Sequence, residues 1–243
     1  MTARADFLAR IRREVAKTTG QVAASTAPRP PHPGAAADAI RRELAERWPQ
    51  ALERFRQEFE RVAGIFHRVP TVEAAPPVIA AIARERGARN VVTWDPGALG
   101  FDPAPALARE GLAVAAVSAG QESEAARVRH RAEAAAAQLG VTGADFVLAE
   151  TGTLILLSGA GRPRSTSLLP DVHVAVFGRD RLLESLEQVG VMLEALHVDP
   201  DRATSGAMIN FITGPSRTAD IELTLTRGVH GPKEVHAIFV EAP

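Results

Sequence analysis

Carboxylate, hydroxyl and arginine side chains gather beside glycines at three places in the second half of this 243-residue chain. In Ala149-Glu150-Thr151-Gly152-Thr153 a glutamate ends an apolar run and meets a glycine turn. A carboxylate so placed could act as a base, a nucleophile or a ligand, or could cap backbone N–H groups of a hairpin. The second place is Ser158 to Pro170, where small residues permit close backbone approach. Arg164 and Ser167 are the anion contacts expected there, the alternative being a solvated surface loop. The third is Thr213-Gly214-Pro215-Ser216-Arg217-Thr218-Ala219-Asp220. Here Gly-Pro stops the apolar run Met208–Ile212, and Ser216 or Thr218 is expected to cap a short helix. Its free N–H groups, with Arg217, would hold an anion, and Asp220 would orient Arg217 or serve as the cap. His230 joins these candidates because Gly228-Val229-His230-Gly231-Pro232 reads as a turn, whereas His173 and His236 read as packed strand residues.

Several chemistries are excluded. The chain has no cysteine, so thiolate metal sites, iron–sulfur ligation and disulfides are ruled out together. No His-x3-His pair occurs, and no metal site is expected. The spacing of a Walker A loop, a Gly-x-Gly-x-x-Gly dinucleotide loop and a Gly-x-Ser-x-Gly elbow are all missing. Formal net charge is −1, giving no general attraction to nucleic acid or to an anionic membrane. Lys17 and Lys233 are the only lysines among 28 basic residues. Arginine suits planar anions, although the wealth of alanine beside it also fits biased composition. With a charged N-terminus and no apolar run of membrane-spanning length, a cytoplasmic protein is expected.

The elements that must position these residues follow from periodicity. Ala5–Ala16 reads as an amphipathic helix carrying Phe7, Leu8, Ile11 and Val15. The Pro-rich stretch at about 27–37 reads as a linker. A second helix is expected from Asp38 to about Phe66, kinked or broken at Pro49. From Val69 strands alternate with helices. The strands are Asn90–Trp94, Leu112–Val117, Asp145–Ala149, Thr153–Leu157, Val172–Phe177 and Val235–Val240; the helices are Pro76–Arg86, Glu122–Leu139 and Arg179–Leu196. Such alternation predicts an α/β fold, a mostly parallel sheet with helices on both faces. The turn joining the Phe146 and Thr153 strands is too tight for a crossover, so that pair should be antiparallel. The domains expected are 1–68, helices with the linker, and 69–243, the α/β domain.

AETGT at 149–153, RSTSLLPDVHVAV at 164–176, ITGPSRTADIE at 212–222 and GVHGP at 228–232 occur in that order. Together they resemble the LUD domain family over about Val69 to Glu241. The resemblance implies a fold similar to the CoA-transferase, ribose-5-phosphate isomerase and glucosamine-6-phosphate deaminase group. It also implies a part in oxidising L-lactate to pyruvate beside iron–sulfur partner proteins. Because this chain offers no cluster ligands and no dinucleotide loop, such partners would carry the redox centres. No cofactor is then expected in this chain, which would bind a small carboxylate or phosphate-bearing ligand. Two other readings stay open: a stand-alone CoA-transferase-like or sugar-phosphate-isomerase-like enzyme using Glu150, and a purely structural or regulatory partner protein.

Overall fold

The computed structural model describes residues 3–17, 30–120, 123–198, 208–219 and 225–242. The chain forms two units, Met1–Pro31 and His32–Pro243. In the first, helix α1 (Ala3–Lys17) leaves Phe7, Leu8 and Ile11 exposed. Residues 27–29 of the expected linker and the side chain of Val15 lie outside the described residues.

The second unit begins with α2 (Pro33–Arg61), whose first residue is already part of the expected linker. Proline suits a first helical turn, where its missing N–H is not needed. The helix also continues through Pro49 instead of breaking. Leu44, Ala51, Leu52, Phe55 and Phe59 are all buried along it, and that burial outweighs the one hydrogen bond a proline removes. After it come β1 (Ile65–Thr71), α3 (Ala75–Glu85), β2 (Asn90–Thr93), α4 (Pro96–Leu99), α5 (Ala104–Arg109) and β3 (Ala113–Ala116). The middle of the chain supplies α6 (Glu124–Ala136), β4 (Leu139–Gly143), β5 (Phe146–Leu148), β6 (Thr153–Leu157), α7 (Ser165–Leu168) and β7 (Val172–Gly178). Then follow β8 (Leu182–Leu183), α8 (Leu186–Val198), β9 (Ile209–Ile212), β10 (Arg217–Ala219), β11 (Leu225–Arg227) and β12 (Glu234–Ala242).

Six strands form the main sheet in the order β1-β12-β7-β4-β2-β3, and every neighbouring pair is parallel. A parallel sheet is covered on both faces, which explains why β4 and most of β7 are buried throughout. One face packs Val69, Val174, Val176 and Ile238 against Ile79 and Ala83 of α3. The other packs Ala175, Phe177, Ala237 and Phe239 against Phe55 and Phe59 of α2. The α/β architecture read from the sequence is therefore the one observed. Helix α2 lies before the expected boundary at Val69 and β1 runs across it, and both pack within this unit.

A second sheet, β8-β5-β6-β9, lies across α2. Its β5–β6 pair is antiparallel, in the register Phe146 with Ile155 and Leu148 with Thr153, as the tight turn predicted. Its outer face carries Phe146, Leu148, Ile155 and Leu157 against Val189 and Met192 of α8. The helix expected from Arg179 starts at Leu186 instead, because Leu182 and Leu183 are first drawn into β8 beside β5. No described helix is long and apolar enough to cross a membrane.

Candidate functional site

The residues singled out from the sequence gather by short, specific contacts. Glu150, in the β5–β6 turn, accepts the Leu186 N–H at 3.3 Å through Oε1. Its carboxylate thus caps the first turn of α8, where negative charge also meets the positive end of the helix dipole. Gly152 has φ +60°, and a Cβ there would overlap the Phe59 backbone of α2, so this turn lies flat on the helix. Thr151, Thr153 and Thr213 form a hydroxyl chain, with 2.7 Å at each step. Gly214 lies against the Val62 carbonyl, and Arg217 donates to that same oxygen at 2.8 Å.

The segment after Gly214 is not the start of a helix. Arg217 and Thr218 belong to β10, paired antiparallel with β11. The cause is local: Ser216 donates its N–H to the Pro232 carbonyl and accepts the Gly228 N–H, which ties the segment to a second strand. The expected helix N-terminus is therefore absent, and Asp220 lies outside the described residues. Ser216 Oγ accepts the His230 N–H at 3.2 Å. Ser167 Oγ donates to the Arg164 carbonyl at 3.1 Å, within α7 and its cap. A Cβ on Gly231 would touch both Ser216, at 3.5 Å, and Leu168, at 3.6 Å.

So the second and third stretches meet at Gly231, and the first and third meet through Thr153 and Thr213. Their neighbours Asp171, which immediately precedes β7, and Pro232, two residues before β12, put this cluster at the amino ends of those strands. For Glu150, loss of the cap should cost about 1 kcal/mol. Glu150→Gln keeps an acceptor oxygen and should melt within about 2 °C of the parent; a larger drop would mean that the charge does more than meet the helix dipole.

The large cavity lies elsewhere. A cleft of about 1070 Å³ opens at the carboxyl ends of β2, β4, β7 and β12, the end at which open α/β sheets bind ligands. Leu44 and Trp48 of α2 and Met192 and Leu196 of α8 contribute to its walls. The glycines Gly143 and Gly178, which end β4 and β7, line it as well. None of the residues singled out above lines it.

Asp145 and Arg162 do line it. Arg162 Nη1 meets Asp145 Oδ1 at 2.7 Å, with only 23% and 16% of the two side chains exposed. The other carboxylate oxygen accepts the Leu157 N–H at 2.7 Å, so Asp145 is engaged at both oxygens and cannot swing away. The arginine is presented by a tight turn in which Gly159 and Arg162 exchange backbone hydrogen bonds, with Gly161 at φ +68°. A guanidinium has five N–H donors. The Asp145 bond uses one, so a planar anion can still be received.

Arg179 and Arg181 on the turn after β7, and Arg41 of α2, add positive charge to the cleft; Asp180 is the other acid among its lining residues. Arg41 is paired with Asp38 and Arg181 with Asp180, each at 3.0 Å, so what favours an anionic guest is the charge of Arg179 and the N–H donors that the paired arginines keep. Arg162 stands in the Gly-rich stretch already read as an anion loop, and Asp145 just before a strand. What brings them together is the antiparallel β5–β6 pair, which sets Asp145, just before β5, beside Leu157 at the end of β6 and the turn that carries Arg162.

Away from the cleft, His173 of β7 is fully buried and shares a 2.8 Å hydrogen bond with Thr142 through Nε2, while Nδ1 has no partner. Burial, and then the proximity of His236, pushes its pKa down to about 3. His236 and His67 stack, with 3.0 Å between ring nitrogens. Burial lowers both, and the charge of His67 lowers His236 further. Among the described residues no three histidine or acidic side chains gather to hold a metal ion.

Comparison with known proteins agrees with this fold. A crystal structure of a DUF162 family protein from Deinococcus radiodurans superposes with a TM-score of 0.53 at 22% identity, covering 79% of this chain and 98% of that one. A protein of Halalkalibacterium halodurans named Lactate utilization protein C is 41% identical over 161 residues, 66% of each chain. The aligned stretch is thus just under two thirds of that relative's length. A protein of the same name from Anoxybacillus flavithermus is 30% identical over 191 residues, 79% of this chain and 80% of that one. The model of the LUD domain matches residues 52–240, a span that takes in the end of α2, both sheets and every lining residue of the cleft from Val72 to Val240. On that match the chain belongs to the LUD domain family.

Proposed function

We propose that this chain is a cytoplasmic component of L-lactate utilisation, the oxidation of L-lactate to pyruvate. In this reading it binds a small carboxylate or phosphate-bearing ligand in the arginine-lined cleft and leaves electron transfer to iron–sulfur partner proteins. The relatives named Lactate utilization protein C support the process. The absence of cysteine from the sequence supports the division of labour, since clusters need thiolate ligands. The observation that carries the binding role is the Asp145–Arg162 pair, fixed and mostly buried inside a ligand-sized cleft. An arginine already oriented by a carboxylate loses little conformational freedom when an anion arrives.

Removing a hydrogen bond to a charged group costs about 1.5–3 kcal/mol, a loss of about ten- to a hundred-fold in affinity. Arg162→Ala should therefore weaken calorimetric binding of L-lactate or inorganic phosphate, whichever the parent protein binds, by at least about tenfold. In cells whose own copy is deleted, the parent chain should restore growth on L-lactate and Arg162→Ala should not. The purified chain alone should oxidise no lactate. Full growth with the variant would remove the cleft from the function, and turnover by the lone chain would remove the need for redox partners.

A further inference from the structure

The cleft is much larger than the acid whose use it serves. Lactate has six heavy atoms and displaces on the order of 100 Å³, a few water volumes. The cleft, at about 1070 Å³, is at the upper end of cofactor-sized sites. Its charge is also more than one carboxylate needs. Arg162 comes from the turn after β6, Arg179 and Arg181 from the turn after β7, and Arg41 from α2. One carboxylate fills one guanidinium fork, whereas Arg179 together with the donors left on Arg162 and Arg181 beyond their pairs with Asp145 and Asp180 matches several anionic oxygens.

The remaining wall is apolar and partly aromatic. Trp48 is half-buried and lines the cleft, its ring stacked on Phe239 at 5.6 Å with 27° between planes. Phe101, half-buried too, lines the cleft from the segment after α4. A three-carbon acid offers nothing to cover such surface, but a planar ring does, by stacking and by burying apolar area.

Resting on the reading of this cleft as the ligand site, we infer that its ligand is a nucleotide, a planar ring bearing phosphate groups, and not lactate. The phosphates meet Arg162, Arg179 and Arg181, and the ring lies against the wall that holds Trp48 and Phe101.

Calorimetry on the full chain separates the two halves of such a ligand. The probes are ADP and FMN, which carry two different rings, with adenosine, pyrophosphate and L-lactate as partial ligands. At least one nucleotide should bind at least tenfold more tightly than adenosine, pyrophosphate or lactate. Arg179→Ala combined with Arg181→Ala changes exposed positions only. It should weaken that nucleotide and pyrophosphate about tenfold and leave adenosine unchanged. Phe101→Ala should weaken the nucleotide and spare pyrophosphate. Thermal melts matching the parent would show that both variants are folded. Arg162-dependent binding of lactate without binding of either nucleotide would overturn the inference and leave the anion site standing. Failure of all five compounds to bind would overturn both.

Discussion

Gly140→Ala is expected to lower the melting temperature by roughly 6–12 °C, from a loss of about 3 kcal/mol. Gly140 lies in β4, and a Cβ there would overlap the Thr166 carbonyl oxygen and come within 3.1 Å of Pro170 Cγ. Backbone atoms, not a flexible side-chain tip, stand in the way. The segment carrying them has little freedom to retreat. Thr166 and Ser167 are buried, the Pro163 carbonyl accepts the Trp94 indole N–H at 3.2 Å, and the Leu169 N–H is bonded to Ser165. A natural control lies three positions along the same strand. A Cβ on Gly143 would make only ordinary contacts of 3.7–3.8 Å, so Gly143→Ala should stay within about 1 kcal/mol of the parent. Calorimetric melting of the two variants checks this, and a Gly140→Ala protein as stable as Gly143→Ala would show that α7 does not press on β4.

Acid should unfold this protein well before its carboxylates are fully protonated. His173 titrates near 6.5 when exposed but is pushed down to about 3 in the fold. Above pH 6.5 it is neutral in both states and contributes no pH dependence. Below that the unfolded chain takes a proton that the folded chain refuses. Stability then falls by about 1.4 kcal/mol per pH unit, reaching on the order of 4 kcal/mol as the pH approaches 3. His67 and His236 are lowered as well, so they act in the same direction. His173→Gln can keep a hydrogen-bonding group near Thr142 and cannot titrate. Chemical denaturation at pH 7 and pH 4.5 should show a smaller loss for this variant than for the parent, by about 2.5 kcal/mol. Parallel losses would mean that His173 is not the buried proton acceptor inferred here.

How much was legible beforehand varied with the range of the interaction that decides each feature. The α/β architecture was legible because apolar runs such as Val172–Phe177 and Val235–Val240, spaced by helical stretches, leave few ways to bury both faces of each strand. The antiparallel β5–β6 pair was legible because the Glu150-Thr151-Gly152 turn is too short to hold a crossover. At Pro49 the helix does not break, because Phe55, Phe59 and their neighbours hold it in the core against the local preference. Ser216 misled for a related reason. Its capping chemistry is sound in isolation, but its backbone is claimed by Gly228 and Pro232.

The candidate site divides along the same line. The amino-acid sequence alone determined which side chains are on offer: many arginines suited to anions, and no thiolate for a cluster. It also determined which short segments are polar, Gly-rich and close to strand ends. Only the tertiary structure decided that Asp145 and Arg162 share a cleft while Glu150 turns to the start of α8. A residue's type follows from its own chemistry, but its partner follows from strand order and helix packing. Those are set by burial summed over the whole core, to which no single motif testifies.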